Sequence, residues 1–188
     1  MQAGCDALDM CCGTGDITRL LSKKASQSGT VVGLDFSSGM LNTAIQRDRD
    51  HQVIFLQGDA MRLPFKERSF DIVTVGYGLR NLVDIRASLR EVHRILKPGG
   101  RFVSLDMGKV RTPVIRQLFD FYFFKIVPRI GKVIYPGEDL FDYFPASTMS
   151  FPSQARLAEI FSEVGFIAVE VFNFYFGSVS VHLGVKES

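Results

Sequence analysis

Asp9, Gly13, Gly15, Asp35, Asp59 and Gly76 have the types and the spacing to hold a nucleotide-like ligand, and each stands where a hydrophobic run ends. The glycines in Cys12-Gly13-Thr14-Gly15 let a backbone turn sharply and pass close to a ligand. Asp35 follows about 20 residues later, where a carboxylate can accept both hydroxyls of a ribose. Asp59 can accept the amino group of adenine, with Ala60 lying against the ring. A single such Asp is often only a helix cap or a solvated loop residue. Their common position at the ends of hydrophobic runs is what gives the set weight.

A dinucleotide would satisfy these features equally well, and two details break the tie. Thr18 stands where a dinucleotide fingerprint carries its third glycine. Asp16 opens the following helix, with Asp9 close behind, where a diphosphate would need donors. Carboxylates there repel a diphosphate and suit the ammonium and sulfonium of S-adenosylmethionine.

The elements that must position these residues alternate between strand and helix. Strands are expected over Cys5–Met10, Val31–Asp35, Val53–Leu56, Phe70–Val75 and Arg101–Asp106. Helices are expected on the apolar stripes Ile17, Leu20, Leu21 and Met40, Leu41, Ala44, Ile45, the second capped by Ser37 or Ser38. A third runs through Ala87, Leu89, Val92, Ile95 and Leu96 and stops at Pro98-Gly99-Gly100. The rhythm breaks from Met107 to Ser150, resumes with a helix over Leu157–Val164 and closes on runs at Ala168–Phe174 and Val179–Val185. The short connection Tyr175–Ser178 makes those last two antiparallel neighbours. This is the pattern of a doubly wound α/β domain spanning residues 1–188, with its ligand crevice at the carboxyl ends of the strands.

Composition narrows the partners. A net charge of +2 without a Lys/Arg run of five gives no basis for nucleic-acid binding. Cys5, Cys11 and Cys12 crowd one end and suggest no disulfide framework, and no second Cys pair or His cluster accompanies them to hold a metal. No apolar run approaches the ~20 residues of a membrane span, and no signal peptide is visible. A cytoplasmic protein is expected, peripheral to a membrane at most, or an organellar one in a eukaryote. The chain starts almost directly on a strand, so a preceding segment is expected to be missing.

The stretch Leu8-Asp9-Met10-Cys11-Cys12-Gly13-Thr14-Gly15-Asp16 resembles the first motif of the UbiE/MenG quinone C-methyltransferases, as does Gly33-Leu34-Asp35-Phe36-Ser37. More distinctive are Gly78-Leu79-Arg80-Asn81, Asp84 and Arg94-Ile95-Leu96-Lys97-Pro98-Gly99-Gly100-Arg101. Pro128-Arg129-Ile130-Gly131 and Val181-His182-Leu183-Gly184 extend the resemblance over essentially the whole chain. It implies a class I methyltransferase, Rossmann-like sheet of seven strands in the order 3-2-1-4-5-7-6, the last antiparallel. It implies S-adenosylmethionine as methyl donor and a polyprenylated quinol precursor of menaquinone, ubiquinone or phylloquinone as acceptor. Cofactor contacts then fall on Thr14, Asp35, Asp59 and Ala60. The family position after the fourth strand is often Ser, and Gly76 leaves any contact there to the backbone. Family members also carry a few dozen residues ahead of the first strand, a segment expected to help roof the site.

Methylating a ring carbon requires the adjacent hydroxyl to ionise. Arg80 is the candidate charge beside the developing phenolate and Asn81 the group that orients its oxygen. A structural salt bridge from Arg80 to Asp84 is the alternative. His182 is a candidate proton acceptor or a buried structural histidine, and Tyr77 and Tyr143 are expected to line the pocket. Leu118-Phe119-Asp120-Phe121-Tyr122-Phe123-Phe124 is more apolar than one core face requires. It is expected to form a lid within 107–150 and to touch a membrane interface, with core or homodimer packing as the alternative. Three other readings stay open: a Rossmann oxidoreductase, a methyltransferase of another lipid-like or phenolic acceptor, and a non-catalytic subunit on the same scaffold.

Overall fold

The computed structural model describes residues 4–25, 29–49, 52–110, 112–127, 129–130 and 147–188. Its first half repeats strand and helix: β1 (Ala7–Met10), α1 (Asp16–Ala25), β2 (Val31–Asp35), α2 (Ser38–Arg47) and β3 (Ile54–Gln57). Then come β4 (Phe70–Gly76), a 3-10 turn at Leu79–Asn81, α3 (Ile85–Ile95) and β5 (Leu96–Met107). After β5, α4 (Pro113–Phe121) runs on into a π-helical turn at Tyr122–Ile126. The chain closes with α5 (Gln154–Val164), β6 (Phe166–Phe174) and β7 (Val179–Lys186).

Local chemistry sets the ends of the helices. Ser37 Oγ accepts from Met40 N at 3.3 Å, Asp84 Oδ1 from Ala87 N at 3.0 Å and Ser153 Oγ from Arg156 N at 3.3 Å, each satisfying an amide the helix cannot. Gly165 ends α5 at φ +112, a conformation that favours glycine.

The strand order is β3-β2-β1-β4-β5-β7-β6, as the family resemblance implied. All neighbours are parallel except that β7 runs antiparallel to both β5 and β6. A parallel return from β6 would need a crossover of about a dozen residues, which Tyr175–Ser178 cannot provide. One face of the sheet packs Leu8, Met10, Val73, Val75 and Phe102 against Leu89, Val92 and Ile95 of α3 and Leu157 and Phe161 of α5. Phe102 lies 5.2 Å from the Phe161 ring and 5.8 Å from Phe166, centre to centre. The alternate residues Ala7 and Val31 meet Ala25 and Leu21 of α1 on the opposite face.

Four expectations need correction. Leu20 is 63% exposed, because α1 turns Thr18, Ser22 and Ala25 to the sheet instead. The apolar spacing there cannot reveal that a hydroxyl is required inside. Met40 and Ile45 are each 48% exposed, and α2 buries only Leu41 and Ala44. The Val53–Leu56 run is shifted by one residue and forms an edge strand, with Ile54 and Leu56 exposed. The third helix ends at Ile95, before the Pro-Gly-Gly signal, because Leu96 already pairs with Phe70 of β4.

Candidate cofactor and acceptor site

The glycine turn leaves β1 with Cys12 N donating to Leu34 O at 3.0 Å and Gly15 N donating to Cys12 O at 2.9 Å. Gly13 and Gly15 adopt φ +54 and +76, in the left-handed region. A Cβ on Gly15 would also lie 3.2 Å from both Ala44 Cβ and the Phe55 ring. The turn is fastened to the end of β2: Gly13 N donates to Asp35 Oδ2 at 2.8 Å, and Asp35 Oδ1 accepts from Ser37 N at 2.9 Å. Each carboxylate oxygen keeps a lone pair for a further donor, such as a ribose hydroxyl.

Asp35 opens onto a cavity of about 530 Å³ at the carboxyl ends of the strands. Its apolar lining includes Phe36, Ala60, Met61 and Leu82, and its polar side chains are Asp35, Asp59 and Asn81. Asp59 Oδ1 accepts from Met61 N at 2.8 Å, which fixes the carboxylate and leaves Oδ2 to meet a donor such as an adenine amine. Among the described residues no Lys or Arg lines this cavity, so its two carboxylates have no described cation beside them in its wall. An adenosine group with an attached cation fits that lining in both size and charge.

Asp9, Thr14, the two turn glycines and Gly76 stand outside the cavity wall. Asp9 is 1% exposed and faces inward, accepting from Thr18 Oγ1 at 2.6 Å and Thr74 Oγ1 at 2.7 Å. Burial pushes its carboxyl up to about 6 against the pull of those two hydroxyls. Asp9 therefore braces β1 against α1 and β4 beneath the turn. A Cβ on Gly76 would meet Ile17 Cδ1, the end of a side chain, at 2.3 Å. Asp16 does not supply the negative lining expected of it. Its carboxylate is 71% exposed and is met by Arg19 at 2.5 Å and Thr14 Oγ1 at 2.9 Å, with Arg47 at 3.9 Å. Burial first, and the nearby carboxylates after it, push the Cys11 and Cys12 thiols up to about 12, so both stay protonated and act as small apolar groups.

Arg80 is also placed differently from the sequence reading. Its guanidinium donates to Asp106 Oδ1 at 2.7 Å, with the two side chains only 8% and 2% exposed. The Tyr77 ring lies beneath it, 5.5 Å from centroid to Cζ. Asp84, the partner considered from sequence, caps α3 instead. The neighbouring Asn81 lines the cofactor cavity. A second cavity of about 380 Å³ shares Leu82 and Val83 with the first and is lined by Arg80 together with Ile85, Phe151 and Ile160. Val83 stands between the two, 93% exposed.

His182 lies outside both cavities. It is 1% exposed, its Nε2 is 3.0 Å from Gln154 O, and burial lowers its pKa, as befits a neutral structural histidine. Tyr143 and Gly131 fall outside the described residues, as does the rest of 131–146, whereas residues 118–124 of the expected lid lie in α4 and the π-helical turn that follows it. Sequence reasoning missed Phe36, Met61 and Leu82 as wall residues and Asp106 as the partner of Arg80. The last had a signal, since β5 ends in an acid as β1 and β2 do.

The family whose model matches this chain is described as the ubiE/COQ5 methyltransferase family, over residues 1–186. A demethylmenaquinone methyltransferase of Staphylococcus saprophyticus is 41% identical over 187 residues, 99% of this chain and 80% of that protein. One of Staphylococcus aureus strain JH9 is 42% identical over 188 residues, 100% of this chain and 78% of that protein. Among solved structures, phosphoethanolamine N-methyltransferase 2 of Haemonchus contortus with S-adenosyl-L-methionine superposes with a TM-score of 0.74 at 18% identity, covering 100% of this chain and 50% of that one. A SAM-dependent methyltransferase from Aquifex aeolicus gives 0.68 at 16%, covering 98% and 83%. At such identities these two structures speak for the fold alone.

Proposed function

The chain belongs to the ubiE/COQ5 methyltransferase family, and from that premise we propose that it is a S-adenosylmethionine-dependent C-methyltransferase of a polyprenylated quinol precursor in menaquinone biosynthesis. The observation that carries this reading is the first cavity, with two carboxylates and, among the described residues, no cationic side chain in its wall. A diphosphate cofactor is repelled there, which disfavours an oxidoreductase. Asp35 takes the ribose hydroxyls, Asp59 takes the adenine amine, and Phe36, Met61 and Leu82 keep water from the ring. S-adenosylmethionine, when bound, supplies a methyl group made electrophilic by its sulfonium.

In this reading the acceptor ring enters the second cavity, where Arg80 and Arg86 bring positive charge and Ile85, Phe151 and Ile160 give it apolar contact. The Arg80 guanidinium stabilises the ionised quinol oxygen that makes the neighbouring ring carbon nucleophilic. Its pair with Asp106 holds the guanidinium in place, and Asn81 stands on the same turn at the cofactor side. The homologues named demethylmenaquinone methyltransferase favour a demethylmenaquinol head group over a ubiquinone or phylloquinone precursor.

Calorimetry with S-adenosylhomocysteine, followed by methyl transfer from labelled donor to demethylmenaquinol, tests the whole reading. Tight binding and label on the ring carbon are expected. NADH displacing S-adenosylhomocysteine, or label on oxygen, overturns it.

A long apolar tail also needs a route from the bilayer. Leu118, Phe121 and Tyr122 of the α4 segment and Phe174, Tyr175 and Phe176 at the β6–β7 hairpin are all exposed. We assign these exposed apolar groups to contact with a lipid interface; among the described residues no helix is long and apolar enough to cross a membrane. Phe121→Ser and Phe176→Ser together are expected to weaken co-sedimentation with liposomes severalfold. Unchanged sedimentation, or a dimer lost in the same variant, would move these residues to protein packing instead.

A further inference from the structure

A cleft on the outer side of α1 and α2 shares no residue with the two cavities of the reaction. It has a volume of about 230 Å³ and is lined by Arg19, Lys23, Arg47 and Arg49, with Ser22, Asp48 and Gln52. The whole chain carries a formal net charge of only +2, so four cations in one concavity are a local concentration rather than a general basic surface. Asp48 is the one carboxylate in the described lining, 7% exposed, with an oxygen accepting from Val53 N at 3.1 Å, which leaves the cleft with a local excess of three positive charges. At the rim Asp16 serves both Arg19, at 2.5 Å, and Arg47, at 3.9 Å. Among the described residues Lys23 and Arg49 have no carboxylate partner.

We infer that this cleft binds a phosphate-class anion, a phosphate or diphosphate group held by Lys23, Arg47 and Arg49 with Arg19 at its inner end. Guanidinium groups match phosphate oxygens in pairs, and an ammonium adds a compact charge. A concave arrangement brings these donors onto one anion, which dispersed surface cations cannot do. The cleft also reaches the glycine turn, because Arg19 Nη1 donates to Thr14 O at 2.9 Å while Nη2 holds Asp16. An anion that draws Arg19 and Arg47 from Asp16 is therefore felt at Thr14 and Gly15.

The test titrates inorganic phosphate and pyrophosphate at constant ionic strength, following the backbone amides of Gly15 and Asp16 by nuclear magnetic resonance. A parallel arm measures flotation with phosphatidylglycerol vesicles. Both compare the full chain with Lys23→Ala/Arg49→Ala and with an Arg101→Ala control on β5. Saturable amide shifts, or vesicle binding, that weaken at least about tenfold in the double variant and persist in the control support the cleft. Which arm responds identifies a soluble phosphate or a lipid headgroup as the source. No binding in either arm, or equal binding by the double variant, overturns it. Neither arm uses a quinol or methyl transfer, so the outcome is independent of the reading of the acceptor.

Discussion

The two halves of the sheet treat their strand-end carboxylates in opposite ways. Beside β2 and β3, Asp35 and Asp59 face a cavity whose wall, among the described residues, holds no cation. At the end of β5, Asp106 is sealed at 2% exposure against the guanidinium of Arg80. A charge left uncompensated at the mouth of a cavity is kept for a ligand, whereas a charge matched inside the protein holds the scaffold. Asp9 lies between the two kinds, buried like Asp106 but matched only by hydroxyls.

Removing one partner of the matched pair is the strongest way to break this comparison. Arg80→Ala leaves Asp106 buried and alone, and is expected to cost about 3–5 kcal/mol in urea unfolding. Arg80→Met combined with Asp106→Leu should recover most of that stability while methyl transfer stays lost. Recovery of turnover in the double variant would remove Arg80 from the chemistry. The unmatched acids should behave the other way. Asp35→Asn is expected to weaken S-adenosylhomocysteine binding by about 3 kcal/mol, roughly 10²-fold by calorimetry, with a smaller loss of about 1–2 kcal/mol in unfolding, because either Gly13 N or Ser37 N loses its acceptor. Equal losses in binding and stability would erase the distinction.

Asp9 sharpens the comparison through pH. Burial pushes its carboxyl up to about 6, above the ordinary Asp value of about 4, so the folded state holds the proton to higher pH. Between about pH 4 and 6 the unfolded chain binds fewer protons, and stability falls as pH rises through that window, levelling off above it. The expected loss is about 2–3 kcal/mol, and Asp9→Asn should flatten it. Unfolding midpoints of both proteins from pH 4 to 7 measure the difference.

The parts legible in the sequence are those written in short stretches. The turn Cys12-Gly13-Thr14-Gly15, the acid that follows it, and the short β6–β7 connection each declare their geometry within a few residues. What was hidden depends on partners far apart in the chain. Thr18 looks like a lost glycine until Asp9, nine positions earlier, is seen to need its hydroxyl. Arg80 finds Asp106 across 26 residues, over a parallel sheet whose crossover places β5 beside β4. Ile54 and Leu56 carry the hydrophobicity of a buried strand but lie on an edge, a matter of sheet order that no local pattern encodes. Asp16 misled because its carboxylate is met by Arg19, three residues on in the same helix, and approached by Arg47 of α2.

The position of β7 between β5 and β6 also governs how the molecule can be made. Synthesis delivers β5 and β6 before the strand that joins them, so the nascent chain carries an open seam with two unsatisfied rows of amides and carbonyls. Only the arrival of Val179–Lys186 closes it, zippering both neighbours in one event. A ribosome that stalls before residue 179 therefore releases a polypeptide with a template for intermolecular pairing, and the cell's chaperones must guard that seam until translation passes it.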